Sequence, residues 1–140
     1  MNLAERECEL GKRLAYPYRW GRKQNDADDK TTNFVYYVER FDEVLRRIER
    51  DFKAAPRYDE MLNYALNRWY NFWSARAVEE IFCGMPGVVP AKERDRLVDF
   101  SIQGVRFDHK TSVFPRRYPR GLHYARSCTS ELIEWLYQNQ

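Results

Sequence analysis

Cysteine is scarce in this chain and poorly spaced. Cys8, Cys83 and Cys128 lie far apart, with no Cys-x-x-Cys pair and no Cys/His ligand spacing. That excludes a disulfide framework and argues against a zinc site. Histidine is scarcer still. His109 and His123 stand in no triad-like arrangement, so Ser127, Thr129 and Ser130 read as helix caps rather than nucleophiles. No run approaches eighteen apolar residues, and the opening stretch MNLAERECELGKRL has no apolar signal core. A membrane partner is therefore not expected, and the chain reads as cytoplasmic. Internal repeats and low-complexity tracts are missing as well.

What is present suits a folded domain. Hydrophobic residues make up 44% of the 140 and charged residues 32%, a balance that excludes disorder and gives enough apolar matter for one core. A single domain over 1–140 is expected, with a helical part over 1–56 and a second part over 57–140. The net charge is +3, weak evidence for a polyanionic partner by itself. Its distribution says more. Arg106, Lys110, Arg116, Arg117, Arg120 and Arg126 fall close together, and Asp108 is the one acid among them.

Periodicity places the elements. Leu3, Leu10 and Leu14 suggest a short helix over 3–14, and the polar stretch 21–30 a loop. Phe34, Val38, Phe41, Leu45, Ile48 and Phe52 recur in steps of three and four, which predicts one amphipathic helix over 32–53, capped by Thr31, Thr32 or Asn33. Leu62, Leu66, Trp69, Trp73 and Ala77 predict a second long helix over 58–83, ended by the Gly and Pro of CGMPG. Trp69, Phe72 and Trp73 share its apolar stripe and read as core. Val88–Pro90 is a candidate strand. RLVDFSI and VRFDHKTSVF, on either side of Gly104, predict a hairpin. A basic loop over 115–121 and a helix over 129–140 complete the order. The class is α/β or α+β, a small mixed β-sheet flanked by long helices.

The hairpin carries the candidate chemistry. Asp108 and Lys110 are two apart in a strand and share a face. A turn at Gly104 brings Asp99 back beside Asp108. Paired carboxylates repel unless a cation lies between them, and hard oxygen donors suit Mg²⁺, with Mn²⁺ as a substitute. A same-face surface ion pair is the plainer account of Asp108 and Lys110. On a helical wheel Glu80 falls within the apolar stripe of the 58–83 helix and Glu79 at its edge. An acid there needs a partner, whether a metal site or an ion pair with Arg76.

An acidic helix carrying Glu80, then Asp99 at a strand, then Asp108-His109-Lys110 on the next strand resembles the PD-(D/E)xK phosphodiesterase superfamily of nucleases. Val98 stands where the family pattern has Pro. The resemblance implies a restriction-endonuclease-like core over roughly 60–140, truncated at its C-terminus by one strand. It also implies a divalent-metal-dependent nuclease acting on DNA. Asp99 and Asp108 would hold Mg²⁺, Lys110 would act on the attacking water, and Glu80 would assist. Arg116, Arg117, Arg120 and Arg126 would then contact backbone phosphates. The alternative is a nuclease-like module that binds nucleic acid or protein without cutting, and a helical interaction domain is a third reading. A homo-oligomer is compatible with all three.

Overall fold

A computed structural model describes residues 1–19, 25–92, 95, 97–109 and 114–139. They fall into two units, Met1–His109 and Lys110–Gln140. The spine of the first is α4, Tyr58–Cys83, the long helix the sequence predicts. Residues 64 to 69 of α4 are buried without a break, so the helix is enclosed on every side over that stretch. Helix α1, Leu3–Arg13, and helix α3, Phe41–Phe52, pack on α4 and on each other, and the 3₁₀ turn Asn33–Tyr36 also lies against α4. Phe34, Val35, Val38, Phe41, Val44 and Ile48 meet Ala65, Leu66, Trp69 and Trp73 in the core. No helix among the described residues is long and apolar enough to cross a membrane.

The single helix expected over 32–53 is not formed. The short helix α2, Asp26–Thr31, precedes the 3₁₀ turn, and α3 begins only at Phe41. Long-range bonds explain the break. The Trp73 indole N–H donates to the Val35 carbonyl at 2.8 Å, and that of Trp69 to the Val38 carbonyl at 2.7 Å. A continuous helix would offer both carbonyls to amides four residues on. The Phe41 amide is also claimed elsewhere, by the Glu9 carboxylate at 2.7 Å. Arg40 before it is extended, with φ −81° and ψ 125°. Phe34, Val38, Phe41 and Ile48 of the apolar stripe are buried and Leu45 and Phe52 partly so, carried by the 3₁₀ turn, the link after it and α3 instead of one helix. The expected caps are reassigned too. Asn25 caps α2, and the Thr31 and Thr32 hydroxyls donate to the Asp28 carbonyl at its far end.

The sheet is antiparallel throughout, β1 Val88–Pro90, β2 Phe100–Ile102 and β3 Val105–Phe107 in that order, rather than mixed. Short connections leave no room for the crossover that a parallel pair needs. The β2–β3 loop is the pair Gln103–Gly104, both with positive φ (50° and 81°), which gives the hairpin its tightest form. Alternation puts Phe100 and Phe107 on one face. Phe82 of α4 stacks on Phe100 with ring centroids 5.2 Å apart, and Phe100 on Phe107 at 5.9 Å.

The second unit contains two described helices, α5 Leu122–Ser127 and α6 Thr129–Asn139. Helix α6 matches the predicted C-terminal helix, while α5 lies in a stretch where no helix is predicted. Tyr118 is buried between Phe114 and Trp135, its ring centroid 5.9 and 5.4 Å from theirs.

Candidate functional site

The two candidate metal ligands flank the hairpin. Phe100 pairs with Phe107, so the next step of the register sets Asp99 opposite Asp108. The ladder stops short of that step. The Asp99 amide donates to the Phe107 carbonyl at 2.9 Å, one residue out of register. The Asp99 carboxylate turns back and accepts the His109 amide through Oδ2 at 2.6 Å. A cation at this end of the hairpin would have to share Asp99 with that amide. Asp108 is exposed. Lys110 lies outside the described residues. Among the described residues, no three His, Cys, Asp or Glu side chains gather into a group that could hold a metal ion. His109 is half-buried, its ring 5.9 Å from that of Phe82.

Glu80 points to another neighbourhood. Its carboxylate pairs with the Arg6 guanidinium of α1, and its side chain is 44% exposed. The Arg76–Glu80 pair read from the sequence is replaced by Arg76–Glu79, at 3.3 Å. The wheel puts Glu80 on the apolar stripe, but Ala77 is the last buried residue of α4. Beyond it the helix outruns the core, and the stripe has nothing left to face. Glu79 and Glu80 instead line a cleft of about 390 Å³ with Arg6, Tyr36, Phe72 and Trp73. The Arg6 guanidinium lies 5.5 Å from the Trp73 ring centroid, and Arg76 6.0 Å from that of Phe72. Arg6 and Arg76 are thus paired with Glu80 and Glu79, and the third carboxylate of the cleft, Glu39, lies 3.6 Å from the N-terminal ammonium. Cys83 also borders it. Burial, then the charges of Glu79 and Asp99, push its thiol pKa up and keep it protonated.

The arginines of the second unit are differently placed. Arg116, Arg117, Arg120 and Arg126 are all exposed. Among the described residues none of the four makes an ion pair. The Tyr118 amide donates to the Pro115 carbonyl at 3.1 Å, so Arg116 and Arg117 hold the two central positions of a turn. Burial of Tyr118 fixes that turn from inside. Arg120 lies over the Tyr124 ring, 5.1 Å from its centroid. The Tyr124 hydroxyl donates to the Glu131 carboxylate, 3.1 and 2.9 Å from its two oxygens. That bond, with a further contribution from Cys128, pushes the phenol pKa up to about 12. Comparison of the chain with family models, with curated proteins and with solved structures finds no match.

Two parts of this surface are missed from sequence alone. Tyr118 is read as part of a solvated basic loop, and Tyr124 is not singled out. No helical spacing links Arg120 to Tyr124, because Arg120 precedes Gly121, the extended N-cap of α5.

Proposed function

We propose that the chain is a nucleic-acid-binding module whose phosphate contacts come from Arg116, Arg117, Arg120 and Arg126. Charge placement carries the reading. Lys110–Gln140 holds five Lys or Arg against two Glu, so it accounts for the whole net charge of +3. Met1–His109 is balanced, and many of its charges pair internally, as Arg6 does with Glu80 and Arg57 with Asp28. Exposed guanidiniums that make no ion pair among the described residues supply planar donors that match phosphate oxygens and release condensed counterions on binding.

The test is fluorescence anisotropy with a labelled oligonucleotide over a series of salt concentrations. Four phosphate contacts on a single strand give a log–log salt slope of about −3. No binding at low salt, or a flat slope, refutes the reading.

One observation favours a second reading, the metal-dependent nuclease with a restriction-endonuclease-like core. The hairpin forms around Gly104 with Phe100 opposite Phe107, so Asp99 and Asp108 each stand one residue beyond the paired strands, with Lys110 two residues after Asp108 in sequence. In that reading Mg²⁺ binds at Asp99 and Asp108, with Lys110 and Glu80 assisting, and DNA rests on the family resemblance alone. Binding without cutting is preferred because Asp99 already accepts the His109 amide and Glu80 is turned to Arg6. Incubating labelled DNA with Mg²⁺ or Mn²⁺ separates the two. Cleavage that Asp108→Ala abolishes while affinity persists would establish the nuclease.

A further inference from the structure

Building on the nucleic-acid-binding reading, we infer that the strand this surface takes is single, and that Arg120 on Tyr124 is the platform on which an unpaired base stacks. Three features of the second unit support this. The first is the stack itself. The Arg120 guanidinium carbon lies over the Tyr124 ring, 5.1 Å from its centroid, and a base would add a third layer on the side of the planar cation away from the ring. Arg120 is exposed, so that layer can come from outside.

The second is rigidity. Both carboxylate oxygens of Glu131 lie within hydrogen-bond distance of the Tyr124 hydroxyl, which fixes the ring under the cation. Pro115 and Pro119 restrict the backbone on either side of the buried Tyr118. The platform is therefore in place before a ligand arrives, and little ordering entropy is lost on binding.

The third is chemical exclusion. Inside a duplex both faces of a base are covered by its neighbours, so a duplex can use the arginines only as charges. A single strand can use them as charges and as a stacking surface. Charge alone would favour the duplex, whose phosphates are denser. A preference for the single strand thus isolates the stacking contribution.

The experiment compares a labelled strand that cannot self-pair with the duplex it forms with its complement, on the full chain, by anisotropy. Arg120→Lys keeps the charge and removes the plane. Arg116→Ala removes a charge and leaves the platform. The native chain should bind the single strand more tightly than the duplex. Arg120→Lys should weaken the single strand by roughly fivefold to a hundredfold and the duplex by much less, since the charge is kept, with the salt slope unchanged for both. Arg116→Ala should weaken both. Equal affinity for strand and duplex, or equal loss of both in Arg120→Lys, overturns the single-strand inference while leaving phosphate binding intact. Absence of binding to either ligand overturns the functional reading as well.

Discussion

Replacing Glu9 by alanine tests how α1 fixes the start of α3. The Glu9 carboxylate is buried and accepts the Phe41 amide at 2.7 Å and the Lys12 ammonium at 2.9 Å. Arg40, at the cap position of α3, supplies no side-chain bond, so this carboxylate caps the helix from 32 residues away. Its removal strands an amide donor on a residue only 2% exposed, which costs about 1–3 kcal/mol. Loss of negative charge at a helix N-terminus adds about 0.3–1 kcal/mol. Lys12 keeps Asp42 at 2.9 Å, so it adds little. The sum is roughly 1–4 kcal/mol for Glu9→Ala, while Glu9→Gln keeps an acceptor and should lose about 1 kcal/mol or less. Urea unfolding followed by circular dichroism measures both variants, and hydrogen exchange at the Phe41 amide locates the effect. The capping account is refuted if the two variants unfold within about 0.5 kcal/mol of each other, or if the Phe41 amide of Glu9→Ala exchanges as slowly as in the native chain.

Gly104→Ala should destabilise the hairpin by about 1–2 kcal/mol through backbone conformation alone, because φ is 81° and an added Cβ meets nothing within 4 Å. Gly104→Asn should recover part of that in the same unfolding assay. Asp99→Ala removes the acceptor of the His109 amide and should speed its hydrogen exchange at a cost of about 1 kcal/mol, whereas Asp99→Asn should keep it slow. Tyr124 should titrate near 12, above the ordinary phenol value, so the stability from its contact with Glu131 is full below about pH 10 and lost as pH rises through 12. Ultraviolet difference titration against Glu131→Gln should show one phenol returning toward the ordinary range. The Arg116→Ala, Arg117→Ala double variant should flatten the single-strand salt slope by about 1.4, and an unchanged slope would remove both residues from the phosphate contacts.

Local signals carried much of the fold. The stop at CGMPG and the run of Leu and Trp set α4 at Tyr58–Cys83, and the turn residue Gly104 set the hairpin. Both depend on neighbours close in sequence. The break before Phe41 depends on two indoles more than thirty residues downstream and a carboxylate more than thirty upstream, so no window of the chain contains it. The apolar period survived because burial dictates it, whichever backbone carries it. At the candidate site, sequence gave the positions of Asp99 and Asp108 relative to the turn, but not the slip at the strand ends that turns Asp99 toward His109. Glu80 was misplaced for a different reason. A helical wheel assigns a face but not the point where the surrounding elements run out, and on α4 that point is Ala77. The Arg120–Tyr124 pair escaped notice because α5 is only six residues long and Arg120 stands before its cap, outside any helical period.

The enclosed middle of α4 has an implication for redesign. Asn67 and Arg68 sit in its buried stretch, and both donate to backbone carbonyls of the segment between α1 and α3. Asn67 donates to the Arg19 carbonyl at 2.6 Å and Arg68 to the Asp29 carbonyl at 2.7 Å, while Arg13 of α1 joins Asn67 and the Tyr16 carbonyl at 2.7 Å each. The segment between α1 and α3, α2 included, is thus tethered to α4 by polar side chains. An engineer seeking a hardier variant by greasing these interior positions would set that segment adrift, and should begin on the outer faces of α1 and α3 instead.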